Sequence, residues 1–132
     1  MPSTEVYFYK EDDGSVPVLD WFLALRVRNE RAAKRCFGLV KLLKDFGSEL
    51  RRPRADFLRD GVYELRTEVN GVNYRILYGF VGKDVAILAC GLTKEKKMPD
   101  QEIDRAAMRI EQYKSNPAKH RFIYEEEELP DG

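Results

Sequence analysis

Four short stretches of the chain read as strands, two of them alternating apolar and polar residues with a period of two, and apolar residues recur every three to four residues in three others. Glu5 to Lys10 (EVYFYK), rich in Val, Tyr and Phe, is predicted as a short strand. A polar turn, EDDGS, follows at 11–15, with Ser15 as candidate N-cap and Pro17 just inside a helix. In that helix Val18, Phe22 and Leu25 fall at i, i+4 and i+7 beside Trp21, so one stripe is expected to be buried. Asn29 reads as a second N-cap. Ala32, Cys36, Leu39, Leu43 and Phe46 then keep helical spacing, Ala33, Phe37 and Val40 widen the stripe, and Gly47 suits the residue after the helix. Residues 48–61 (SELRRPRADFLRDG) are predicted as a basic loop around Pro53.

The strands that matter come next. From Val62 to Val69, Tyr63, Leu65 and Thr67 point one way and Glu64, Arg66 and Glu68 the other. Asn70-Gly71 is a strong hairpin signal, so Asn73 to Phe80 returns antiparallel, with Tyr74, Ile76, Tyr78 and Phe80 on one face and Arg75 on the opposite one. After the turn Gly82-Lys83-Asp84, Val85 to Leu92 is apolar on both faces, as a central strand should be. Pro99 is expected at the first helical position, with Asp100, Glu102 and Asp104 near the positive end of the helix dipole. Ile103, Ala107, Ile110 and Tyr113 form that helix's apolar stripe, and Ser115-Asn116-Pro117 stops it. Arg121 to Tyr124 reads as a short strand or an extended tail. The order β-α-α-β-β-β-α predicts an α+β domain, an antiparallel sheet with helices packed on one face and the other face free to bind. Residues 1–124 are expected to form a single domain and 125–132 a disordered acidic tail.

Composition changes this picture little, but charge does. The chain has 132 residues, 43% of them hydrophobic, and its formal net charge is zero. Residues 26–109 nevertheless hold 19 Lys and Arg against 12 Asp and Glu, and the two ends hold 4 against 11. A cationic middle between acidic ends is hidden by the whole-chain balance. The acidic tail, Glu125 to Glu128 with Asp131, is expected either to solubilise the chain or to compete weakly with an anion for that middle. No run approaches the length of a membrane span, and the first 15 residues lack the basic and apolar regions of a secretion signal, so a cytoplasmic protein is expected. Cys36 and Cys90 each lie in an apolar run and read as buried free thiols. His120 is the one histidine, and neither a CxxC pair nor ligand spacing argues for a metal or other cofactor. Walker A, GxGxxG and GxSxG motifs are absent.

The remaining candidate chemistry is cationic. With Asn70-Gly71 at the turn, Val69 pairs Val72 and Arg66 falls opposite Arg75. Like charges directly opposite destabilise a hairpin by about 0.2–1 kcal/mol. Either Glu64 and Glu68 offset this in a surface lattice of ion pairs, or the two guanidinium forks clamp a phosphate. Lys94, Lys96 and Lys97 sit after the last strand, as a solvated basic turn or as donors to the same anion, able to protonate a leaving oxygen or stabilise a pentacoordinate phosphorane. Glu64 is the candidate general base. Arg51, Arg52 and Arg54 in the 48–61 segment are candidate contacts to a nucleic-acid phosphate backbone, or an ordinary solvated connector.

Residues 4–116, and above all YELRTEVNGVNYRILYGF and AILACGLTKEKKMPDQEIDRAAMRIEQY, resemble the RelE-superfamily toxins. More narrowly they resemble the phage-derived HigB-like branch, through ELR, YRILY, the basic turn and MPDQEIDRAAMR in that order. The resemblance implies a RelE-like fold. It also implies a metal-independent endoribonuclease, an mRNA interferase that cuts mRNA, often on the ribosome, by attack of the 2′-OH to leave a cyclic phosphate. The partners it implies are mRNA on the ribosome and a co-encoded helix-turn-helix, HigA-like antitoxin. Arg75 matches the phosphate-stabilising arginine, Arg66 a basic strand position, and Lys94, Lys96 and Lys97 the basic turn. The chain departs from the pattern at Glu64, where RelE has a lysine, and has no evident counterpart of the family's C-terminal catalytic tyrosine or of the histidines of some HigB proteins. The same fold also serves non-catalytic RNA- or protein-binding modules, including ParE-like gyrase inhibitors.

Overall fold

The structure is a computed structural model that describes residues 3–93 and 97–124; Lys94, Lys96 and the acidic tail lie outside them. Strand β1 (Glu5–Tyr9) leads into helices α1 (Pro17–Arg28) and α2 (Glu30–Phe46). After a 3₁₀ turn at Gly47–Glu49 come β2 (Ala55–Arg59), β3 (Val62–Val69), β4 (Val72–Val81) and β5 (Val85–Thr93). Helices α3 (Asp100–Ser115) and α4 (Pro117–His120) and strand β6 (Arg121–Phe122) complete the described chain. The architecture is α+β, with a six-stranded sheet in the order β2-β3-β4-β5-β1-β6.

The predicted three-stranded centre, 62–92, is present as consecutive antiparallel strands. Val69 pairs Val72 and Arg66 pairs Arg75. Asn70 and Gly71 have φ of 52° and 81°, the positive values that a two-residue hairpin turn of this type demands. Three expectations about the sheet need correction. First, 55–59 is a strand, not part of a loop: it pairs antiparallel with β3, through Ala55↔Leu65 and Phe57↔Tyr63. Its turn, Asp60-Gly61, also has two positive φ values, 53° and 77°. An edge strand needs only one neighbour, so Pro53 and the arginines before it do not prevent it. Second, β1 joins β5 in parallel, making the sheet mostly but not wholly antiparallel. A strand can reach such a neighbour because the α1–α2 hairpin and three further strands separate the two in sequence.

Third, helices cover both faces of the sheet. Helices α1 and α2 bury Val18, Phe22, Cys36, Phe37, Val40 and Leu43 on Phe8, Leu65, Ile76, Tyr78 and Leu88. Helix α3 buries Ile103, Ala106 and Ile110 on Val62, Leu77, Ala89 and Cys90, on the other side of the sheet; a bulge where Leu77 pairs Cys90 and Tyr78 pairs Leu88 turns Cys90 away from the face of Leu88. The two apolar faces of β5 call for a layer on each side. At Gly79 a side chain would collide with Ile110, so this glycine lets α3 approach the sheet closely. The helix ends also differ in detail from expectation. Val16, not Ser15, is the N-cap of α1, Pro99 is the N-cap of α3 rather than its first residue, and Ala106 rather than Ala107 is fully buried. Asn29 caps α2 by accepting from Ala32 N at 3.1 Å. Cys36 and Cys90 are buried free thiols. No helix among the described residues is long and apolar enough to cross a membrane.

Candidate phosphate-binding groove

Strand β2 stops pairing with β3 at Ala55↔Leu65, and the carbonyl of Arg54 then accepts from Arg66 N at 2.9 Å. Beyond that point no strand among the described residues lies beside the edge of β3. A groove of about 1070 Å³ wraps this open edge. Its lining includes Thr67 from one face of the sheet, Arg66 and Arg75 from the other, and Glu68, Asn73, Pro53 and Arg54. The outward side of α2 forms its far wall, with Glu30, Arg31, Lys34, Arg35, Gly38, Leu39 and Leu42. Six cationic residues, Arg31, Lys34, Arg35, Arg54, Arg66 and Arg75, thus line one groove against two carboxylates, Glu30 and Glu68. Clefts lined by one sign of charge concentrate counter-ions, and guanidinium forks match phosphate oxygens.

Arg66 and Arg75 are held in different ways. Arg66 Nε donates to Pro53 O at 3.3 Å, and Nη1 stands 3.8 Å from Glu64 Oε1. This arginine keeps 42% of its side chain exposed. Arg75 is half-buried on β4, directly opposite Arg66 and beside Leu92 of β5. Glu64 lies between Asp56 of β2 and Leu77 of β4, and only 3% of it is exposed. Burial raises its carboxyl above the ordinary range; the Arg75 and Arg66 charges pull it back down, and Asp56 adds to the rise. Burial is the largest of these effects, so Glu64 holds its proton more tightly than a solvated glutamate.

The other predicted residues separate. Arg54 lines the groove. Arg52 instead pairs with Asp56 at 2.8 Å, and the Arg52 guanidinium holds that carboxyl below its usual range. The Arg51 guanidinium turns back to the carbonyls of Ser48 and Leu50. Lys97 is exposed in the connection to α3 and is not among the groove-lining residues. His120 is structural: its Nδ1 is 2.8 Å from Lys10 O and its ring stacks on Tyr9. Arg31, Lys34 and Arg35 were not anticipated as site residues. Their i, i+3, i+4 spacing puts them on one side of α2, and that spacing was the available signal. Among the described residues no group of three or more His, Cys, Asp or Glu is placed to hold a metal ion.

A family model described as Phage derived protein Gp49-like (DUF891) matches residues 20–111, a span that contains every residue lining the groove. No curated protein matches the chain significantly.

Proposed function

Since the chain belongs to the phage-derived Gp49-like family, within the RelE/toxin-like superfamily, we propose that it is the toxin of a type II toxin–antitoxin pair and cleaves mRNA in the groove along β3. Toxins of this type are generally ribonucleases and are paired with an antitoxin. The observation that carries the reading is the directly opposed pair Arg66 and Arg75 inside a groove lined by four further cations. The like-charge cost of such a pair is offset when an anion sits between the two forks.

In this reading the scissile phosphate lies against Arg66 and Arg75. The 2′-OH next to it gives up its proton to a base and attacks phosphorus. The 5′ oxygen leaves with a proton, and a 2′,3′-cyclic phosphate remains, so no metal is required. The two guanidinium groups stabilise the extra negative charge of the phosphorane. Glu64 is the base we favour, because a carboxylate whose pKa is raised by burial is a stronger proton acceptor than a solvated one. Lys94, Lys96 and Lys97 of the basic turn are the candidate donors to the leaving oxygen. Arg51, Arg52 and Arg54 belong to the RNA-binding surface, with Arg54 in the groove itself. Residues 1–124 act as one domain, with 125–132 as a tail, in the cytoplasm. We place the chain in the HigB-like branch, with mRNA on the ribosome as substrate and a helix-turn-helix, HigA-like antitoxin as partner.

A second reading rests on Glu64 itself. A carboxylate where the resemblance calls for a lysine favours a groove that binds RNA or a protein, gyrase included, without cutting. Purified protein incubated with mRNA, with and without translating ribosomes, separates the readings. Cuts within codons only when ribosomes translate are the expected result. Intact mRNA under both conditions, from protein that still arrests growth, supports the non-catalytic reading.

A further inference from the structure

A second cavity, of about 220 Å³, lies at the elbow between α1 and α2 and is lined by Trp21, Ala24, Arg28, Asn29, Tyr74 and Thr93, among others. It is smaller than the roughly 300–1,000 Å³ of typical drug-sized pockets, a size that suits one planar ring. Its aromatic walls are rigid. The Trp21 indole donates from Nε1 to Thr93 Oγ1 at 3.0 Å, and its ring fills the space that any side chain at Gly91 would need. Tyr74 is locked in β4 opposite Thr93 and is buried. Polar groups stand at the rim. Asn29 spends its Oδ1 on capping α2, which leaves its amide NH₂ as a donor. Arg28 is exposed and ion-pairs with no described residue. A fixed aromatic surface with a cation and an amide beside it matches the requirements of an unpaired nucleobase.

The cavity adjoins the groove. Asn29 lines the one, and its neighbours Glu30 and Arg31 line the other. Thr67 of the groove pairs across the sheet with Tyr74 of the cavity. A strand whose phosphates lie along Arg31, Lys34 and Arg35 can therefore turn one base inward at the elbow. We propose that this cavity binds one unpaired base of the RNA whose backbone occupies the groove, and so sets a sequence preference. The inference rests on the groove being an RNA site.

Trp21 is the sole tryptophan of the chain, so its emission reports the cavity directly. The full-length protein is titrated at low salt with an end-labelled, uncleavable 2′-O-methyl hexanucleotide and with the same backbone carrying abasic residues. The base-bearing strand should quench Trp21 and bind about tenfold tighter or more, as stacking of a single base allows. Ala24→Leu fills the cavity from an exposed position with a good helix former. It should bring the two affinities together without weakening the abasic strand. Equal affinities and unchanged emission with the wild type would overturn the base site and leave the groove reading intact. No binding of either strand at low salt would overturn both.

Discussion

Glu64 brings a carboxylate into a buried position beside two arginines, and its proton is governed by opposing effects. Loss of hydration favours the neutral acid, the guanidinium charges favour the anion, and the first wins. The folded protein therefore holds this proton more tightly than the unfolded chain does. It follows that the contribution of Glu64 is most favourable below about pH 4.3, the ordinary value for an unfolded glutamate, and is lost as pH rises through the raised folded value. Glu64→Gln removes the charge at nearly constant size. The variant should melt above the wild type at pH 7, by a margin that shrinks toward zero near pH 4. A lower melting temperature at pH 7 would mean that attraction to Arg66 and Arg75 outweighs burial. In the cleavage assay the same variant should lose roughly 10²- to 10⁴-fold in rate, the usual contribution of a general base.

At the scale of elements, the groove exists because a short edge strand leaves part of a longer one open. Helix α2 runs beside that opening and presents Arg31, Lys34 and Arg35 to it. If each of the three contacts a phosphate, replacing all three by alanine should flatten the salt dependence of RNA binding. The slope of log K against log salt should fall by about 2, at about 0.7 per phosphate for a single strand. An unchanged slope would remove α2 from the interface. The β3–β4 hairpin was legible in the sequence because Asn70-Gly71 fixes both turn and register, and with them the opposition of Arg66 and Arg75. Asp60-Gly61 carries the same kind of signal for β2, but Pro53 and the surrounding arginines read as a loop. That β5 is apolar on both faces carried the signal for a covering layer on each side, but the element order predicts helices on one face only. Which helix lies on the second face depends on contacts between Ile110 and Gly79 that no local pattern displays. The basic stripe of α2 likewise reads as an ordinary solvated face until the open edge of β3 stands opposite it.

On the scale of the whole molecule, a chain of zero net charge places six of its 23 Lys and Arg residues along one groove. The matched family covers that groove entirely and assigns the chain to a toxin-like superfamily. In the proposed reaction Arg75, opposite Arg66, stabilises the phosphorane formed as RNA is cleaved. The most direct measurement compares wild type with Arg75→Ala, at matched melting temperature, by mapping the ends of mRNA recovered from translating ribosomes. The wild type should leave new 3′ ends carrying 2′,3′-cyclic phosphate, and Arg75→Ala should leave these at least 10²-fold rarer, as expected on removing one transition-state donor. Cyclic-phosphate ends of equal abundance from the variant would contradict the account.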